Sequence, residues 1–181
     1  SIRYAQLFSW PSGTPVFCNR GTSGIDGSTA TAVGAAQLSE KPTVLITGDL
    51  SFFYDINGLW NNYIPNNFKI ILINNGGGGI FRILPGEKDS AKYDTYFETI
   101  HQRDARYVAK AFGCKYRKAT SLGALKRKLP RFFKSNTAPQ ILEIQTPRKL
   151  NDTVLLDYFK TITVWNNFSK SVRLYNSENK F

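Results

Sequence analysis

The sequence predicts an α/β fold, an open and mainly parallel sheet with helices on both faces. Three observations point there. Short β-branched runs alternate with longer helical patterns along the chain. The run Lys69 to Ile73 (KIILI) is nearly continuous in apolar residues, as a strand covered on both sides must be. The 181 residues, 41% of them hydrophobic, supply core for one full-sized domain and too little for two large ones.

The elements follow in order. Val16 to Cys18 reads as a short strand, and Gly27 to Ser39 as a helix whose Gly34, Ala35 and Ala36 allow close packing. Thr43 to Thr47 (TVLIT) is the next strand, Ser51 to Tyr63 a helix, and Lys69 to Ile73 a strand. After a long irregular stretch come a helix at Arg103 to Phe112, an extended segment at Cys114 to Lys118 and a helix at Ser121 to Lys134. A strand at Gln140 to Gln145 and a helix at Asn151 to Ile162 complete five βα units, the pattern of a parallel sheet flanked by helices. Residues 1–162 form this domain; 163–181 lack clear periodicity and read as an extension or tail. The segment Pro85 to Gln102 is expected to be mobile without partners, and able to close over a bound molecule.

Composition narrows the function classes. No apolar run approaches the roughly 20 residues of a membrane-spanning helix and no signal segment opens the chain, so a cytoplasmic protein without a membrane span is expected. The chain has no Met and begins SIRYAQLF, so we expect one domain of a larger protein. A net charge of +11 and a pI near 9.7 favour anionic partners. Eight basic residues lie between Lys115 and Lys134, interleaved with Leu122, Leu125, Leu129, Phe132 and Phe133. That pattern reads as the wet face of an amphipathic helix; an interface with another domain and a nucleic-acid footprint are the alternatives. Cys18 and Cys114 lack the companions of a zinc site or disulfide framework and sit in apolar runs, so both are expected as buried free thiols. His101, the single histidine, lies in the polar stretch ETIHQRDAR and is given no catalytic role.

Ligands of open α/β sheets bind beyond the carboxyl ends of the strands. Three Gly-, Asp-, Asn- and Ser-rich loops lie there: Asn19 to Gly27, Gly48 to Ser51, and Asn74 to Phe81. Asp49 offers a hard carboxylate, Asn75 a neutral carbonyl, and the glycines beyond can aim a main-chain carbonyl at the same point. One carboxylate with two neutral oxygens suits Mg²⁺, its other positions filled by phosphate and water. Ser51 and the amides opening the next helix add donors for a diphosphate. Taken singly, Asp and Asn-Gly also end strands as turn residues, and that reading needs no metal.

The interval adds to this, since 26 positions, filled by one helix and one strand, separate Asp49 from Asn75. Here the chain resembles the thiamine-diphosphate enzymes, whose diphosphate-binding domain carries Gly-Asp-Gly followed after such an interval by Asn-Asn. It departs in one place, having Gly48-Asp49-Leu50. With NRGTSGIDGSTATAVG (Asn19 to Gly34), GDLSFFYDINGL (Gly48 to Leu59) and INNGGGGIFRILP (Ile73 to Pro85), it resembles one branch, the 2-succinyl-5-enolpyruvyl-6-hydroxy-3-cyclohexene-1-carboxylate synthases of menaquinone biosynthesis. The resemblance runs from about Ser1 to Ile162 and covers the C-terminal third of that family's chain.

The resemblance implies that Asp49, Asn75 and the Gly77 carbonyl hold Mg²⁺, or Mn²⁺ in its place, and that Gly48, Leu50, Ser51 and Gly78 line the diphosphate, with Ser23 and Ile80 also on the cofactor. Ile25 becomes the apolar wedge that bends thiamine diphosphate into a V, with ordinary core as its alternative. Arg3 and Arg20 become contacts for substrate carboxylates, and Ile80, Phe81 and Leu84 an apolar pocket wall, with buried core as the competing reading. The implied activity is a transferase that decarboxylates 2-oxoglutarate and adds the succinyl unit to isochorismate. Its activating glutamate is expected on a separate pyrimidine-binding domain, from a second subunit of a homo-oligomer, so this chain alone is expected to be inactive. Another thiamine-diphosphate carboligase or decarboxylase, or a non-catalytic basic binding module, are the alternatives.

Overall fold

A computed structural model describes residues 7–19, 21, 24–84, 90–134 and 137–162. Helix α1 (Ser28–Gln37) leads to strand β1 (Val44–Gly48) and helix α2 (Asp49–Tyr54), which runs into a 3-10 turn at Ile56–Leu59. Strand β2 (Lys69–Asn74), the short helix α3 (Ile80–Ile83) and a π turn at Tyr93–Phe97 follow. Helix α4 (Arg106–Ala111), strand β3 (Lys115–Ala119), helix α5 (Leu122–Lys134), strand β4 (Gln140–Gln145) and helix α6 over 150–162 complete the described chain. The strands lie in the order β1-β2-β4-β3 and all neighbours are parallel.

Register sorts the side chains between two faces. Ile70 lies beside Leu45 and Ile141, and Ile141 beside Tyr116; this row meets Val33 and Ala36 of α1, Phe52 of α2, and Ala109 of α4 in the main core. The alternate row carries Lys69 and Gln140, and here α5 packs: buried Phe132 accepts the Gln140 Nε2–H on its carbonyl at 3.1 Å, and its ring lies 5.6 Å from Lys69 Nζ. Helices thus cover both faces. The sheet places the ends of β1 and β2 side by side, which positions the site.

Several expectations from the sequence are corrected. Val16 to Cys18 is not a strand: it lies outside the sheet with Phe17 89% exposed, and among the described residues β1 is an edge and four βα units replace five. A three-residue apolar run carries no ladder unless a neighbouring edge receives it. Cys18 is accordingly exposed, while Cys114 is buried and free as expected. The helix expected from Ser51 to Tyr63 stops at Tyr54 because Asp55 is used elsewhere: its Oδ2 accepts the Ala30 N–H at 2.8 Å, capping α1, which has no side-chain cap of its own. The 3-10 turn then brings Gly58 against α1, where a Cβ would stand 2.6 Å from the Ala30 nitrogen. Helix α4 begins only at Arg106, since Asp104 Oδ1 accepts the Arg106 N–H at 3.0 Å in a local turn. On α5, Leu122 and Phe133 are exposed and do not join Phe132 inside, whereas Lys126, Arg127, Arg131 and Lys134 face solvent as the amphipathic reading requires. Residues 90–102 are built into the fold through buried Tyr93 and Glu98, and are not a loose strap. The tail 163–181 and residues 85–89 lie outside the described residues.

Two outcomes are expected. Gly58→Ala should lower stability by about 1–3 kcal/mol in chemical unfolding, because a backbone contact must open; an unchanged midpoint would show that α1 and the turn part freely. Burial pushes the Cys114 thiol up to about 11, so at pH 8.5 almost none of it is thiolate. Iodoacetamide at that pH should modify Cys18 alone in the native chain and both cysteines in denaturant; native labelling of both would contradict the burial.

Candidate cofactor and metal site

Two strand-end loops meet on one carboxylate. Asp49 is the first residue of α2, directly after β1, and is 2% exposed. Its Oδ1 accepts the Leu50 N–H at 2.8 Å, and its Oδ2 accepts the amides of Gly76 at 2.7 Å and Gly77 at 3.0 Å. Those amides belong to the loop after β2, the parallel neighbour of β1. Gly76 has φ +76, a left-handed conformation that glycine adopts without strain, and a Cβ on Gly77 would stand 2.8 Å from the Glu98 carbonyl oxygen.

His101 completes this shell. Its side chain is 5% exposed, with Nε2 3.3 Å from Asp49 Oδ2, and its Nδ1 accepts the Arg103 N–H at 3.1 Å. With Nδ1 accepting, the neutral ring carries its proton on Nε2, facing the carboxylate. The direction falls short of a hydrogen bond, so the contact is electrostatic. The loop setting expected for His101 holds, but the chain folds its side chain inward beside the carboxylate shared by both loops.

Asn74 and Asn75 divide the work. Asn74 is buried; its Nδ2 donates to Glu143 Oε1 at 2.7 Å and to the Arg103 carbonyl at 2.9 Å, and its Oδ1 accepts the Gly76 N–H at 3.0 Å. Glu143, fully buried in β4, also accepts the Ala105 N–H at 2.9 Å and the Tyr116 hydroxyl at 2.7 Å on Oε2. Desolvation first, then its hydrogen bond to Glu143, raises the Tyr116 pKa. Glu143 was legible as a lone acid in the apolar run QILEIQ, but its partners are 27 to 69 residues away. Asn75 makes no hydrogen bond to a described residue and stays half-buried at the loop, where a Cβ on Gly79 would lie 3.0 Å from its Nδ2.

These residues fit a hard divalent cation. Asp49 Oδ2 accepts two amide N–H groups, whereas Oδ1 accepts one, leaving Oδ1 with capacity for a metal. Among the described residues the Asn75 amide has no hydrogen-bond partner and the Gly77 carbonyl accepts the Gly79 N–H at 3.1 Å, so the two could offer neutral oxygens. Among the described residues no group of three or more His, Cys, Asp or Glu is assembled, and an all-oxygen set of this kind suits Mg²⁺. Around it, Ser51 Oγ donates to the Ile25 carbonyl at 2.5 Å, joining the first loop to α2, and Leu50 packs toward Gly78. Ile25, Ile80, Phe81 and Leu84 are 37–44% exposed, so the buried-core alternative fails for all four. Arg3, Arg20 and Ser23 lie outside the described residues.

An open parallel sheet whose adjacent strand-end loops converge on an acid, an amide and a glycine turn defines an α/β domain with a ligand crevice beyond the carboxyl ends of its strands. Residues 2–144 match the family described as thiamine pyrophosphate enzyme, C-terminal TPP binding domain, and the chain belongs to that family. It is 62% identical over 164 residues to the 2-succinyl-5-enolpyruvyl-6-hydroxy-3-cyclohexene-1-carboxylate synthase of Flavobacterium psychrophilum, covering 90% of this chain and 30% of that one. It is 54% identical over 171 residues to the synthase of the same name from Christiangramia forsetii, covering 94% of this chain and 28% of that one. The chain thus spans less than a third of the length of these curated relatives. A solved structure, the thiamine diphosphate-dependent 4-hydroxybenzoylformate decarboxylase of Rhodococcus jostii, shares the fold at a TM-score of 0.51 and 24% identity, over 64% of this chain and 22% of that one.

Asn74→Ala removes one donor from buried Glu143 and one acceptor from Gly76. A loss of about 1–3 kcal/mol in chemical unfolding is expected, and a smaller loss than for Asn75→Ala would reverse the division of roles drawn above.

Proposed function

We propose that this chain is the C-terminal, cofactor-binding domain of a synthase that decarboxylates 2-oxoglutarate and adds the succinyl unit to isochorismate in menaquinone biosynthesis. Its cofactors are thiamine diphosphate and Mg²⁺, with Mn²⁺ able to replace the latter. One observation carries the reading: the loops that meet at Asp49 supply a hard-cation donor set within a chain 62% identical to a synthase of that name.

Asp49, Asn75 and the Gly77 carbonyl would hold the metal. Gly48, Leu50, Ser51 and Gly78 would line the diphosphate, with Ser23 and Ile80 also against the cofactor. Ile25, tied to α2 through Ser51, would be the apolar wedge beneath it. Thiamine diphosphate, when bound, supplies the electron sink for loss of CO₂ from a 2-oxo acid. The chain's own residues bind and orient: Arg3 and Arg20 would pair with substrate carboxylates through two-pronged hydrogen bonds, and Ile80, Phe81 and Leu84 would exclude water from the reacting groups. The charge of +11 favours encounter with polyanionic substrates. The activating glutamate is assigned to a pyrimidine-binding domain outside this chain, from a second subunit of a cytoplasmic homo-oligomer.

Calorimetric titration of the chain with thiamine diphosphate, with and without Mg²⁺, tests the site. Metal-dependent binding that Asp49→Ala abolishes is the expected result; binding that is indifferent to both metal and Asp49 would refute the assignment. With 2-oxoglutarate, isochorismate, cofactor and Mg²⁺ supplied, the isolated chain should form no product, and product formation would show that the activating group lies within it.

A further inference from the structure

Glu98 is fully buried, and nothing in the cofactor reading accounts for it. Its carboxylate receives a two-pronged contact from Arg82, whose Nε lies 2.9 Å from Oε1 while Nη2 meets Oε2. Arg148, just beyond β4, donates to the same Oε2 at 2.9 Å. Half-exposed Asp94 lies 3.9 Å from Arg82 and 3.8 Å from Arg148, so a second acid faces both guanidinium groups. The Arg82 guanidinium also lies 5.7 Å from the centre of the Tyr93 ring, and Phe97 packs edge-on against Phe81 at 5.6 Å between ring centres.

The main chain of Glu98 does something different. Its carbonyl accepts the Gly78 N–H at 2.6 Å and lies where a Cβ on Gly77 would have to go. One residue therefore faces two parts of the site. Its side chain grips α3, which carries the open apolar surface of Ile80 and Phe81, and its backbone seats the Gly77–Gly78 turn.

We propose that Glu98 is a positioning residue that acts through Arg82: its carboxylate holds α3 and the apolar wall at a set distance from the cofactor turn, so it governs substrate binding more than cofactor binding, which meets α3 only at Ile80 and otherwise rests on the turn that the Glu98 backbone seats. This rests on the assignment of α3 as a substrate wall. Two parallel hydrogen bonds between a guanidinium and a carboxylate constrain both distance and plane, and an enclosed acid without exposure cannot trade Arg82 for water. A glutamine keeps the volume and the backbone but loses the charge that offsets two arginines, so α3 loosens while the turn stays seated.

The test uses Glu98→Gln, Arg82→Met and the double variant in the complete protein that contains this chain. Three quantities are read: the Kd of thiamine diphosphate with Mg²⁺, the KM values for 2-oxoglutarate and isochorismate against kcat, and hydrogen exchange of residues 80–84. Each single variant should raise a substrate KM by on the order of 10-fold, leave the cofactor Kd within about 2-fold, and speed exchange at 80–84. The double variant should lose less than the sum of the two single losses, since both remove the shared Arg82–Glu98 contact while Arg148, Asp94 and Tyr93 are partners of one residue only. Unchanged exchange and KM, or a cofactor Kd that weakens in step with KM, would overturn the proposal. Should Glu98→Gln fail to fold, Arg82→Lys, which keeps the charge and loses the fork, carries the same three readouts. If the unaltered protein makes no product from these substrates, the functional assignment fails; faster exchange at 80–84 with an unchanged cofactor Kd still decides whether Glu98 positions α3.

Discussion

The carboxylate of Asp49 is the point at which the sheet becomes a site. Successive glycine amides turned into the interior need an acceptor, because a buried N–H without one loses its hydration and gains nothing. Asp49 Oδ2 is that acceptor for Gly76 and Gly77. It can serve because Asp49 follows β1 and the glycines follow β2, its hydrogen-bonded parallel neighbour. The same contact leaves Oδ1 with a single N–H donor, from Leu50, and so with acceptor capacity that a cation could use. The local structure is thus assembled by a bond between the two loops before any metal is considered.

Among the described residues three acids are buried in this strongly basic chain, and each is compensated in a different way. Asp49 is held by main-chain amides, Glu143 by an asparagine, an amide and a tyrosine hydroxyl, and Glu98 by two arginines. The difference follows what each must hold. Amides place an acid at the end of a strand where the backbone itself turns. Neutral donors let Glu143 join β4, β3 and the loop after β2 without a counter-charge that would need its own solvation. Guanidinium groups reach from α3 and from the chain after β4, so Glu98 links these two segments through side chains.

These acids form a hierarchy around the glycine turn. Glu143 orients Asn74, Asn74 and Asp49 share the Gly76 amide, and Glu98 seats Gly78 while holding α3. The exposed apolar side chains of Ile25, Ile80 and Phe81 are mounted on this polar scaffold. The apolar surface is open while the groups that position it are enclosed, the arrangement expected where a rigid shell supports a surface that must receive another molecule.

Sequence alone determined the parallel α/β class, the strands at TVLIT, KIILI and QILEIQ, and the convergence of Asp49 with the Asn75 loop. Each of these rests on local pattern or on the arithmetic of one crossover, and the three motifs together led to the family that the comparison then showed. What tertiary structure decided were matters of distant partners. The run VFC lacked a neighbouring strand, the second helix broke because Asp55 caps α1, and Cys18 stayed exposed. His101, Asn74 and Glu98 looked ordinary in the sequence, and Glu143 showed only as a lone acid in an apolar run, because their meaning lies in contacts across 16 to 69 residues, His101 with Asp49, Asn74 with Glu143, Glu98 with Arg82 and Arg148, and Glu143 with Tyr116. Periodicity reports which face a residue occupies; only the folded chain brings a buried acid to the donors that satisfy it.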